Sequence, residues 1–141
     1  MPIRCLTFVV YGETGWGWHL EKVPNPTWDE IVTAIQRLEK FRYPWVLLFI
    51  GDEDEDPTVD CLTIMGGEGV FWLALTAGKY EQLRLFDQTK GTHEVKVWTS
   101  DQGFADEERQ VTYDIDLVLR IAKYFGETGE PLPEAPWEES I

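Results

Sequence analysis

Five consecutive acids, 52–56, are the densest group of chemically active side chains in the sequence. Alternating carboxylates are the oxygen ligands of a calcium loop. An EF-hand loop that began at Asp52 would need Gly at position 57 and Glu at position 63, where this chain has Pro57 and Thr63. The stretch therefore predicts a solvated turn between two strands or a contact surface for a basic partner, and no metal site.

Residue types that serve nucleophilic or zinc chemistry are present without the required spacing. His19 and His93 have no ligand or triad partner in the sequence, and Ser100 and Ser140 lie outside any nucleophile elbow. The His-x-Glu and Pro-Cys-x-x-Cys signature of zinc deaminases is absent. We therefore expect no catalytic residue and no cofactor. Composition alone leaves open a glycosidase-like pair among the many carboxylates.

Glycines 66, 67 and 69 could be mistaken for a phosphate-binding loop. No Lys-Ser/Thr pair follows them, and the next residues are typical of a strand. The segment predicts a tight hairpin turn with positive φ.

Trp16 and Trp18 stand two residues apart in a short strand pattern, so we expect them on one face. Such a pair serves a core, or it anchors an interface, where Trp contributes much of the binding energy.

The composition predicts one globular domain over residues 1–141. Hydrophobic residues make up 43% of the 141 residues, and the formal net charge is −14. Direct nucleic-acid binding and attachment to an anionic membrane are disfavoured because the basic residues are few and scattered. A charge of this size serves solubility or attracts a basic partner. Cys5 and Cys61 lack disulfide or zinc spacing, and no secretory or membrane-spanning pattern is visible, so we expect a cytoplasmic protein.

Hydrophobic periodicity predicts the elements that position these residues. Thr27 and Glu30 form a capping box before a helix from Trp28 to about Phe41. Asp114 and Gly126 delimit a second helix, and the acidic segment 101–108 before it is predicted as a loop. Strands are predicted at 4–11, 16–20, 45–50, 59–65, 70–76, 82–86 and 94–99.

These elements predict an α+β fold, with a mainly antiparallel sheet of about six or seven strands and two helices packed on it. Short connections between the strands favour antiparallel pairing. Residues 127–141 form an acidic, Pro-containing tail that we expect to dock through Trp137.

Several segments resemble the Imm-one family of immunity proteins from bacterial polymorphic toxin systems. They are NPTWDEIVTAIQRLE, WVLLFIG, CLTIMGGEGVFWLAL and the closing GETGEPLPEAPWEES, which together extend from about Trp28 to Trp137. The family implies an α+β domain that binds and neutralises a cognate toxin, commonly a nucleic-acid deaminase or nuclease. It supplies no catalytic residue.

The resemblance and the acidity together predict a non-catalytic immunity protein, a monomer when free and a heterodimer with its toxin. Acidic side chains would occupy the toxin's basic cleft where nucleic-acid phosphates lie. An acidic adaptor or ligand-binding module unrelated to toxins is the alternative. The expected partner-binding residues are Asp52, Glu53, Asp54, Glu55, Asp56, Asp101, Asp106, Glu107, Glu108, Trp16, Trp18 and Trp98.

Overall fold

The computed structural model describes residues 3, 5–11, 18–39, 43–50, 60–77, 80–99 and 102–139. In chain order the elements are β1 (Cys5–Tyr11), β2 (Trp18–Pro24), α1 (Trp28–Gln36), β3 (Trp45–Ile50), β4 (Asp60–Gly67), β5 (Val70–Ala77), β6 (Tyr80–Leu85), β7 (Glu94–Thr99), β8 (Gln102–Glu107), a 3-10 helix (Glu108–Gln110), α2 (Ile115–Thr128) and β9 (Trp137–Glu139).

The larger of two sheets has the strand order β2-β1-β3-β4-β5-β6-β9, and each neighbouring pair is antiparallel. β7 and β8 form a separate antiparallel hairpin. The predicted α+β fold with a mainly antiparallel sheet is confirmed. No helix in the described ranges is long and apolar enough to cross a membrane.

The core is organised by a row of leucines that lie opposite one another across five strands. The register pairs Leu6 with Leu48, Leu48 with Leu62, Leu62 with Leu75 and Leu75 with Leu83. None of these five is more than 5% exposed. They belong to one hydrophobic cluster with Ile31, Ile35, Ile121 and Phe125 of the two helices. Both helices therefore pack on this face of the sheet.

The opposite face carries a smaller cluster beneath the β7–β8 hairpin. Met65 of β4 packs there with Val97 of β7 and with Val111, and the half-buried Trp45 and Trp72 surround them. Trp45, Met65 and Trp72 are paired across β3, β4 and β5, and each lies three residues, an odd number, from the leucine of its strand. The alternation of side chains along each strand thus separates the two clusters.

α1 begins at the predicted capping box. The Thr27 hydroxyl accepts a hydrogen bond from Glu30 N at 3.2 Å, and the Glu30 carboxylate accepts one from Thr27 N at 2.9 Å. The predicted end near Phe41 is wrong, because α1 ends at Gln36. Glu39 N donates to Tyr43 O instead of continuing the helix, so the chain already turns toward β3.

α2 begins as predicted, with the Asp114 carboxylate accepting hydrogen bonds from the N–H groups of Asp116 and Leu117. The predicted stop at Gly126 is wrong. That glycine is buried within the helix, and Gly129 ends it with a φ of 73° while its N–H donates to Phe125 O. Glycine at this position satisfies a terminal carbonyl without the steric cost of a Cβ.

Two further segments differ from the prediction. Residues 102–107 form β8 instead of a loop, because β7 supplies a complete hydrogen-bonding partner for them. The tail predicted at 127–141 begins only after Gly129, because α2 extends to Thr128. Trp137, the residue expected to dock the tail, packs on the main core and donates from Nε1 to Leu132 O at 3.0 Å. β9 adds to β6, and Arg84 Nη2 lies 3.2 Å from Glu138 Oε1 across that pair.

The predicted β4–β5 hairpin turn is confirmed, and it provides a test of the fold. Glu68 and Gly69 have φ values of 56° and 80°, as a two-residue type I′ turn requires. Gly66 has a φ of 132°, and a Cβ there would lie 2.0 Å from Val70 O.

We therefore expect Gly66→Ala to lower the free energy of unfolding by about 3 kcal/mol or more, because it adds a backbone clash to the cost of an unusual φ. Gly69→Ala meets no atom within 4 Å, and we expect it to cost only about 1 kcal/mol. Urea denaturation of both variants checks this. Equal destabilisation would contradict the register around Gly66.

Candidate functional site

The structure describes part of the predicted partner-binding set. Asp52, Glu53, Asp54, Glu55, Asp56, Asp101 and Trp16 lie outside the described residues. The backbones of Trp18 and Trp98 lie in β2 and β7. Asp106, Glu107 and Glu108 are described in full, where β8 meets the 3-10 helix. We call these three acids, together with His93 and Arg109, the β8 corner.

The β8 corner is held on the core from both sides. Glu108 N donates to His93 O at 3.0 Å, which joins the start of the 3-10 helix to the residue before β7. Beyond that helix Val111 is fully buried, and Thr112 exchanges two backbone hydrogen bonds of 2.9 Å with Phe71 of β5. The acids therefore project from a backbone fixed to the central sheet.

Glu108 is paired with a histidine. Its Oε2 lies 2.7 Å from His93 Nε2, and the imidazole is 66% exposed while the carboxylate is 23% exposed. The contact is an ion pair when the ring is protonated and a hydrogen bond when the neutral ring carries its proton on Nε2. Such an exposed pair contributes about 0–1 kcal/mol to stability, so it orients the two groups more than it stabilises the fold.

Glu107 is paired with Arg109. The Arg109 Nε donates to Glu107 Oε2 at 2.6 Å, and the guanidinium lies 4.8 Å from the centre of the Phe86 ring. Asp106 accepts a hydrogen bond from Glu107 N at 2.9 Å. Since Asp106 pairs with no cation in the described part of the chain, it is the corner's least compensated negative charge.

The loop before β7 faces the corner and is itself ordered by hydrogen bonds. Lys90 Nζ donates to Val111 O at 2.8 Å and lies 5.3 Å from the centre of the Tyr113 ring. Partial burial, and then the charge of Glu108, raise the pKa of the Tyr113 hydroxyl above its ordinary value. Lys90 is therefore directed toward the fold, while half-exposed Tyr113 remains available for contact.

The side chains of the β8 corner are three carboxylates, an imidazole and a guanidinium, with the Tyr113 phenol beside them. Among the described residues the only side-chain partner of His93 is Glu108, whereas a hydrolytic triad also needs a nucleophile on the second ring nitrogen. The same residues contain no group of three or more His, Cys, Asp or Glu side chains able to hold a metal ion. The arrangement can present carboxylates, an imidazole and a phenol to a partner.

The sequence reasoning missed His93, Arg109 and Tyr113 as neighbours of the predicted acids. His93 and Glu108 are 15 residues apart, and only the pairing of β7 with β8 brings them together. The alternating pattern of EVKVWTS indicates a strand, and a strand requires a neighbouring strand to pair with. Residues 102–107 could have been considered as that neighbour, which would have placed Glu108 near His93.

Comparison of the chain with protein-family models, with curated proteins and with solved structures finds no match. The resemblance to the Imm-one family therefore stays a prediction based on the quoted segments.

The Asp87–Thr89 turn, in the loop before β7, gives a prediction about pH. The Asp87 carboxylate accepts hydrogen bonds from the Thr89 hydroxyl at 2.6 Å and from Thr89 N at 3.0 Å. The Thr89 side chain first, and then its backbone N–H, hold the pKa of Asp87 below its ordinary value of 3.8. Because the folded pKa is lowered, this stabilisation is present above pH 3.8 and is lost as the pH falls through the folded pKa.

We expect Thr89→Val to raise the pKa of Asp87 toward 3.8, as measured by an NMR titration of the carboxyl carbon. The matched control is Thr128→Val, whose hydroxyl donates to Tyr124 O instead of to a carboxylate, and it leaves that pKa unchanged. A wild-type Asp87 that titrates at 3.8 or above would contradict the described turn.

Proposed function

We propose that this chain is a non-catalytic immunity protein, which binds a cognate toxin domain and neutralises it with acidic surface segments. One observation carries the proposal. Of the 26 acids, nine fall in two short stretches, five at 52–56 and four at 101–108. Asp106–Glu108 of the second stretch lies at the end of a strand tied to the core.

The physical mechanism is electrostatic. A toxin that acts on nucleic acid has to present a basic cleft, and carboxylates placed where phosphates bind can occupy that cleft. Opposite charge also steers the two proteins together and raises the association rate. Fast capture suits an antidote because every unbound toxin molecule remains active.

Rigidity of the corner supports this role. Its acids are attached to a hairpin packed on Met65 and to the Phe71–Thr112 bridge, so little order has to be gained on binding. Glu107 and Glu108 already have internal partners, Arg109 and His93. We therefore propose that Glu107 and Glu108 orient the bound toxin. We propose that Asp106 and the acids of 52–56 attract the toxin and raise the association rate.

An acidic adaptor unrelated to toxins remains the second candidate function, since the same surface would suit any basic protein. Gene context distinguishes the two. An immunity gene lies directly downstream of a large toxin gene, and an adaptor gene has no such neighbour.

The test measures the association rate with the toxin domain encoded directly upstream, by stopped-flow fluorescence across a range of salt concentrations. We expect the rate to fall by about 100-fold or more between low and high ionic strength, because salt screens the steering charges. A rate independent of salt would refute electrostatic capture.

A charge-matched pair of variants locates the effect. In the first variant, Asp52, Glu53, Asp54, Glu55 and Asp56 are changed to their amides, and we expect association to slow by at least about tenfold. The control variant changes five exposed acids elsewhere to amides and removes the same charge: Glu68, Asp116, Glu127, Glu134 and Glu139. Equal slowing by both variants would mean that net charge acts without a defined surface.

A further inference from the structure

A groove lies where the helical layer ends and the sheet continues. Helices pack about 8–10 Å apart and strands about 4.8 Å apart, so two helices cover about four strands. At one edge the C-terminal segment adds Leu132, Ala135 and Trp137 to the same core. At the other edge of the sheet, α1 lies beside β1 and β2, and no other described helix covers β2.

The groove between α1 and β2 is open to solvent and has a volume of about 330 Å³. Its apolar lining residues are Leu6, Val23 and Ala34, of which Val23 is half-buried and the other two are almost fully buried. Leu6 and Val23 are paired across β1 and β2, so they lie on the sheet face that carries the helices. The volume is at the small end of the range for binding pockets, about 300–1,000 Å³, and it suits one or two side chains instead of a whole helix.

The wall of the groove is charged, and its two ends differ. Asp29 and Glu30 stand at the start of α1, and Arg37 stands at its end with its guanidinium 4.3 Å from the centre of the Tyr43 ring. At 1.5 Å per residue, Asp29 and Arg37 are about 12 Å apart along the helix axis. One end of the groove is therefore negative and the other positive.

The two acids differ in how far they are already engaged. Glu30 Oε1 accepts the capping hydrogen bond from Thr27 N. Asp29 is exposed, and its carboxylate has no partner within the described part of the chain. The helix dipole favours acids in the first turn of any helix, so Asp29 and Glu30 by themselves do not indicate a ligand. The apolar lining beside them is the independent feature that makes this groove complementary to a particular ligand.

We propose that this groove binds an arginine side chain of a partner protein. The aliphatic stem lies on Leu6, Val23 and Ala34, and the guanidinium reaches Asp29 and the remaining oxygen of Glu30, away from Arg37. Arginine combines an apolar stem with a cation that can bond two carboxylate oxygens at once. A second copy of this chain is disfavoured as the occupant, because two molecules of charge −14 repel each other.

Only the identity of the partner rests on the proposed function, which supplies a basic toxin domain. The groove can be tested without that domain. If the groove binds its probe and toxin capture is independent of salt, this inference stands and the proposed mechanism is rejected. If the groove does not bind its probe and toxin capture depends on salt, the proposed mechanism stands and this inference is rejected.

The test is an NMR titration of the ¹⁵N-labelled chain with the capped tripeptides Ac-Gly-Arg-Gly-NH₂, Ac-Gly-Lys-Gly-NH₂ and Ac-Gly-Gln-Gly-NH₂. We expect the Arg peptide to shift the amides of Val23 and of residues 29–37 with a Kd on the order of 1 mM, as suits a single anchored side chain. The Lys peptide should bind more weakly, and the Gln peptide should cause no localised shift.

Two pairs of variants make the result specific. Thr33→Arg puts a guanidinium into the groove and should abolish the shifts, whereas Gln36→Arg, exposed on the same helix but outside the groove lining, should retain them. Asp29→Asn should weaken binding at least about fivefold. Asp116→Asn, at the matching second position of α2, should not.

Shifts spread over acidic residues throughout the chain, or no shift with the Arg peptide, would overturn the proposal. Equal binding to the Asp29→Asn and Asp116→Asn variants would overturn it as well. Tighter binding of the Lys peptide would replace arginine as the occupant.

Discussion

The register of the antiparallel sheet is the constraint on which the rest of this structure depends. Leu6, Leu48, Leu62, Leu75 and Leu83 meet across five strands, and together they form the surface that both helices cover. A slip of one residue in any of these strands would turn its leucine to the opposite face and leave a gap beneath the helices. The two-residue turn at Glu68 and Gly69 helps to fix this register by joining β4 to β5 without slack.

The two faces of the sheet contribute differently to the candidate surfaces. The helical face ends at α1, which leaves the groove beside β2. The opposite face carries the β7–β8 hairpin, whose Val97 packs on Met65. The acids of the β8 corner project from the end of β8 and the start of the 3-10 helix. The groove meets the leucine row only at Leu6, which is almost fully buried, and the charged residues of both surfaces lie outside the row. Charge can therefore be concentrated on both surfaces without disturbing the packing of the core.

Local signals were sufficient for much of the fold. The Thr27–Glu30 capping box, the Asp114 cap and the glycine turn are patterns of a few neighbouring residues, and the structure confirms each of them. Helix ends were harder to predict because Gly126 and Gly129 have similar local sequences, and only packing decides which one is buried. β8 was missed since QGFADE has little strand propensity of its own and depends on β7.

The candidate surfaces were less predictable than the fold. Acid clustering could be counted from the sequence, but the pairing of Glu108 with His93 depends on the hairpin register. The groove depends on how far α1 lies from the edge of the sheet, which no spacing in the sequence encodes. Both are consequences of tertiary packing between segments that are distant in the chain.

Neutralisation of a toxin is the central claim, and survival of a bacterial host tests it most directly. The domain encoded directly upstream, which the proposal identifies as the toxin, is expressed from an inducible promoter, alone or together with this chain, and colony-forming units are counted. The account predicts that the toxin alone kills the cells and that co-expression of this chain restores growth. Equal killing with and without this chain, when the chain is folded and soluble, would contradict it.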